Sequence, residues 1–110
     1  MQAQGHAQTL VDIIDLGANM QASADMARFR HSQVPNTLSL ETPLYDLVGA
    51  KLTAMGHTVR SASGEEMGGV QVIMFVAQPG AEAEKGAAKH IGGYYRSGSD
   101  FRKDGEAVGW

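Results

Sequence analysis

The chain has 110 residues, with nine Lys plus Arg against twelve Asp plus Glu, four His, fourteen Gly and no Cys. That length points to one domain or part of one, with a modest core. A net charge of −3 argues against a nucleic-acid binder, which carries a basic stripe; the absence of Cys excludes disulfides and thiolate metal sites and leaves the compartment open. No apolar run approaches the ~18–20 residues of a membrane span, and residues 1–8 lack the basic and apolar regions of a signal peptide.

Ala7, Leu10, Val11, Ile13 and Ile14 recur at spacings of three and four and predict an amphipathic helix closed by Gly17. The β-branched content of residues 9–15 also suits a strand, but Asp12 and Asp15, three apart, fit a solvated helix face better. A short Ala-rich helix follows, with Asn19 as its N-cap. Arg28 to His31 reads as extended, Pro35-Asn36 as a turn, and Thr37 to Glu41 as a strand by its period-two alternation.

The clearest helix runs from Pro43 to Met55, with Thr42 as N-cap, Pro43 at the first helical position and Gly56 as terminator. Leu44, Leu47, Val48, Leu52 and Met55 form its expected buried stripe. His57 to Ser61 predicts a strand. Val70 to Ala77 is apolar at nearly every position, as in strands covered on both faces. Residues 78–93, rich in Gly, Ala, Glu and Lys, predict a flexible surface loop, and Tyr94 to Ser97 the last strand. The order is that of an α+β chain. Its helices suffice to cover one face of a sheet, which points to another segment or another copy covering the remainder.

Chemistry-bearing patterns are scarce. His6, His31, His57 and His90 show no metal-ligand spacing. Gly64-Glu65-Glu66 reads as a solvated acidic turn. Gly68-Gly69 and Gly92-Gly93 are not followed by Lys-Ser/Thr, and Ser97-Gly98-Ser99-Asp100 lacks the nucleophile-elbow pattern. No metal or cofactor is expected.

Several segments, in order, resemble the C-terminal part of the small subunit of the γ-glutamyltranspeptidase family. Met1-Gln2-Ala3-Gln4-Gly5-His6 is similar to the family's Met-Gln-Pro-Gln-Gly-His, with Ala3 for Pro. Ile14-Asp15-Leu16-Gly17 follows, then Ala27-Arg28-Phe29-Arg30-His31, similar to Ala-Pro-Arg-Phe-Arg without its Pro. Leu40-Glu41, Leu52 through Val59, and Gly68 through Ile73 keep the family order. Gly98-Ser99-Asp100-Phe101-Arg102-Lys103-Asp104-Gly105 resembles the closing Gly-Ala-Ser-Asp-Pro-Arg-Lys-Asp-Gly, with Ala absent and Phe101 for Pro; Trp110 stands for the terminal aromatic.

The resemblance implies the C-terminal portion of a four-layer αββα N-terminal-nucleophile hydrolase sandwich, mainly antiparallel in its sheet, with helices on one face. Residues 1–110 would then be a single partial domain. It implies a self-cleaving enzyme whose exposed Thr attacks γ-glutamyl amides such as glutathione, its own amine acting as base and an oxyanion hole stabilising the intermediate. The family's Thr, carboxylate ligands and oxyanion glycines precede the Gln-Gly-His segment, and Thr9, Thr37, Thr42, Thr53 and Thr58 are internal. No catalytic residue therefore transfers to this chain; only Met1, Gln2 and Gln4 fall near enough to line the substrate pocket. The implied partner is the remaining part of the enzyme or another copy of the chain. The alternatives are a standalone self-associating module and a fragment of a related cephalosporin or glutaryl acylase.

Overall fold

The computed structural model describes residues 1–85 and 88–108; for residues 80–85 and 88–90 it describes backbone only. Helix α1 (Gln2–Ile14) ends before Gly17, whose φ of +69° is the left-handed geometry expected of a helix stop. It begins five residues earlier than its apolar pattern, because Gln4 and Gln8 face a neighbouring strand. Helix α2 (Met20–Asp25) is capped as expected, the Ala22 amide donating to Asn19 Oδ1 at 2.8 Å.

Strands β1 (Phe29–Ser32) and β2 (Thr37–Glu41) form an antiparallel pair with Arg30 opposite Ser39. Helix α3 (Thr42–Ala54) crosses over to β3 (Val59–Ala62), which lies parallel to β2 with Leu40 opposite Ser61. Thr42 is not the N-cap: Glu41 holds that position without a side-chain cap bond, and the Thr42 hydroxyl pairs with Ser61 Oγ at 3.2 Å. Gly56 terminates α3 at φ +96°.

A 3₁₀ turn, η1 (Gly64–Met67), leads to an antiparallel hairpin of β4 (Gln71–Lys85) and β5 (Ala88–Ser99). Most of the predicted loop 78–93 therefore lies on these strands, with a register shift between Ala77 and Glu82; positions 86 and 87 lie outside the described residues. Trp110 also lies outside the described residues.

Arg28 and Glu41 bracket the β1–β2 pair, and α2 packs over the base of the hairpin. Gly98 makes that packing possible: a Cβ there would sit 2.5 Å from the Met20 carbonyl oxygen. Between α1 and α2 the contact is small and polar, with Ser23 Oγ donating to the Thr9 carbonyl at 3.3 Å.

The described apolar core is only Met20, Ala24, Leu40, Ala62 and Met67. The expected α3 stripe is therefore only partly realised. Leu44, Val48 and Leu52 are half-buried, whereas Met55 is exposed and Leu47 is 79% exposed. On α1, Leu10, Val11 and Ile14 are exposed. Along β4, Ile73 (72% exposed) and Phe75 alternate with half-buried Val72, Met74 and Val76. The strand expected to be covered on both faces is thus covered on one.

Shape agrees with this. The radius of gyration is 18.2 Å and the extents are 60 × 27 × 24 Å, where a compact domain of this length has about 13 Å. The accessible surface of 7798 Å² compares with roughly 5,900 Å² for a folded monomer of this mass.

Candidate functional site

The segments carrying the sequence resemblance converge on a buried ionic knot. Arg102 grips Glu41 with two nitrogens, Nε to Oε1 at 2.5 Å and Nη2 to Oε2 at 2.6 Å. Its third nitrogen, Nη1, reaches Asp100 Oδ1 at 3.0 Å, and Arg28 Nη2 reaches Asp100 Oδ2 at 2.7 Å. All four side chains are at most 6% exposed. Two cations and two anions make the knot neutral, the condition under which buried charge is tolerated.

Backbone groups supply further partners. Amides of Val70 and Arg102 donate to Asp100, each at 2.9 Å, and the Arg28 amide donates to Glu41 Oε2 at 2.7 Å. The arginines donate to the Ala24 and Met26 carbonyls that end α2. Burial pushes the Asp100 carboxyl upward. The two amides, the Arg102 guanidinium and the Arg28 charge outweigh that and hold it below the usual carboxylate range. Burial likewise works against the Arg102 cation, and Glu41 and Asp100 more than offset it. Phe101, where the family pattern has Pro, lays its ring over the Arg102 guanidinium, 4.5 Å from the centroid.

A second device holds α1 in place. Gln8 donates to the Phe29 carbonyl and accepts from the Phe29 amide at 2.9 and 3.0 Å; Gln4 does the same at His31, both at 2.8 Å. One turn apart on α1, the two amides complete the outer edge of β1 as a neighbouring strand would. Gln21 of α2 repeats the pattern at Ser99 on β5, at 2.8 and 3.1 Å.

The three expected pocket residues separate. Met1 and Gln2, with Gly5 and His6, line a cleft of about 230 Å³ facing Met67 to Val70, with Arg28 at its side. Gln4 instead lines a different, mostly apolar groove of about 510 Å³ between α1, Phe29 and Leu44, and its amide is committed to His31. In that groove lies Asp12, whose carboxyl burial pushes above its usual range against the smaller opposing effects of Ser23 and Arg28.

No described arrangement activates a nucleophile. The hydroxyls of Thr9 and Thr53 donate to the Gly5 and Gly49 carbonyls at 3.0 and 2.9 Å. Among the described residues no group of three or more His, Asp or Glu could hold a metal ion, and no helix is long and apolar enough to cross a membrane.

Residues 1–110 match the family model described as Gamma-glutamyltranspeptidase. The chain belongs to the γ-glutamyltranspeptidase family. Curated protein sequences yield no match. Solved structures similar to it include a cephalosporin acylase from Bacillus halodurans, with TM-score 0.69 and 22% identity over 96% of this chain and 17% of that one. An acivicin-inhibited γ-glutamyltranspeptidase matches with TM-score 0.69 and 18% identity over 93% of this chain and 48% of that one; its C-terminus is described as having critical roles in autoprocessing and catalysis. The Pseudomonas nitroreducens γ-glutamyltranspeptidase complexed with L-DON matches with TM-score 0.63 and 19% identity, over 96% and 48%. These likenesses establish the fold as that of γ-glutamyltranspeptidases and the related acylase. The chain spans less than half the length of these structures' chains.

The sequence pointed to the segments that meet in the knot, but read them as family markers. Their charges balance, two cations (Arg28, Arg102) against two anions (Glu41, Asp100), but neighbouring charges such as Arg30, Lys103 and Asp104 hid which of them pair.

Proposed function

We propose that this chain is scaffold: the C-terminal part of the small subunit of a γ-glutamyltranspeptidase-like hydrolase or transferase. Its nucleophilic Thr, amine base and oxyanion donors lie on polypeptide N-terminal to these residues. In that enzyme the Thr hydroxyl oxygen bonds to the γ-glutamyl carbonyl carbon, the displaced amine leaves with a proton, and water or an acceptor amine then takes the acyl group. Met1 and Gln2, on the cleft side of α1, border the substrate pocket, and the knot fixes α1's neighbours beneath it.

The observation that carries this reading is the bareness of the apolar faces. Surface exceeding that of a compact monomer by about a third is what a part of a larger sandwich exposes. The test is direct. The purified chain is expected to show no turnover of a γ-glutamyl anilide, and turnover above background overturns the proposal. An acylase reading draws support from the likeness to the Bacillus halodurans enzyme. Once the chain is assembled with its missing portion, preference for a glutaryl over a γ-glutamyl amide would select it.

A further inference from the structure

The sheet edges of this molecule are treated unequally. The outer edge of β1 is closed by Gln4 and Gln8, and the base of β5 by Gln21. β3 carries Arg60, ion-paired with Glu66 at 2.6 Å, and charge blunts an edge. β4 lacks such devices between Gln71 and Ala77: those seven residues hold no charge, no Pro and no Gly, the register shift comes only after Ala77, and the described tail residues 104–108 lie beside Gln71 to Ile73.

Register fixes which of its backbone groups are free. Ser99 turns its amide and carbonyl outward to Gln21, so Ser99 and its partner Gln71 form a non-hydrogen-bonded pair. By alternation Ile73, Phe75 and Ala77 also point their amides and carbonyls away from β5. The same residues hold the uncovered face, where the Phe75 ring lies 5.1 Å from that of Tyr95.

We infer that the outer edge of β4 is a strand-pairing surface, and that in a preparation of this chain a second copy occupies it. The two β4 strands run antiparallel about a two-fold axis through Met74. That register sets Ile73 opposite Phe75 of the second copy, and Gln71 opposite Ala77. Every outward amide between 71 and 77 then meets an outward carbonyl, and the exposed Ile and Phe side chains become cross-strand neighbours. A single uncharged edge is self-complementary under two-fold symmetry, with no like charges opposed.

The test is light scattering of the purified chain over a concentration series, with Ile73→Pro as the variant. The Ile73 amide points outward, so Pro there removes an edge donor without breaking a hairpin bond. The wild type is expected to run as a dimer, and the variant to dissociate at least tenfold more readily with an unchanged circular dichroism spectrum. Phe75→Lys, which places a charge on the same edge, should act alike if Ile73→Pro disturbs folding. A monomeric wild type, or two variants that stay dimeric, overturns the inference. Because the readout is mass and not turnover, it stands or falls separately from the catalytic proposal.

Discussion

At the residue scale the ionic knot dominates. Arg102→Ala would strand the Glu41 carboxylate in the interior and leave Asp100 with Arg28 as its one cation, and losing one partner of a buried ion pair costs about 3–5 kcal/mol. For a chain with so small a core that is most of its stability; urea unfolding should show the variant largely unfolded without denaturant. Asp100 adds a pH dependence. Its carboxyl titrates lower in the fold than in the unfolded chain, so its contribution is present above the unfolded carboxylate range and is lost as pH falls through the folded value. Asp12 has the opposite sign: raised in the fold, it favours folding at low pH and loses that contribution as pH rises past its folded value. Asp12→Asn should therefore stabilise the chain near neutrality and leave its stability at low pH little changed, as read from urea midpoints across pH.

At the scale of elements, packing is mediated by polar side chains that satisfy backbone. Gln8→Leu keeps the size of the side chain but abandons the Phe29 amide and carbonyl, an expected loss of about 1–3 kcal/mol. Hydrogen exchange should find the Phe29 amide deprotected, while that of His31, held by Gln4, and those of β2 change less. Gly98→Ala drives a methyl against the Met20 carbonyl, and rigid backbone on the other side leaves no route for relief; thermal unfolding should fall by several degrees. The elements themselves were largely legible: periodicity located α1, α3 and β2, and Asn19 marked the start of α2. Local pattern carries that information. It did not carry the glutamine clamps, which depend on Gln4 and Gln8 meeting a strand twenty-odd residues away. It also missed the extent of the hairpin, because residues 78–93 are rich in Gly, Ala, Glu and Lys and show no strand alternation, while the strands pair there through backbone register. Thr42 misled for a related reason: its hydroxyl found Ser61 across the parallel pair instead of its own helix.

Over the whole molecule, what was hardest to read from residues is where the apolar faces go. Leu47, Met55, Ile73 and Tyr95 mark faces patterned for cover that the 110 residues do not themselves provide. A dye that fluoresces on apolar surfaces should bind the folded chain strongly, and should bind less as concentration rises and β4 edges pair. Family membership and fold were readable because short motifs survive in order; the role of those motifs in the interior required the three-dimensional arrangement.

The knot also orders events during synthesis. Sixty-one positions separate Glu41 from Arg102, so a ribosome delivers Arg28 and Glu41 long before the counter-ions that neutralise them. Until then a nascent chain can keep those charges only in water, and β1, β2 and α3 have no settled interior to close upon. Closure of β1, β2 and α3 around those charges is thus expected to wait until the Asp100–Arg102 segment has been made.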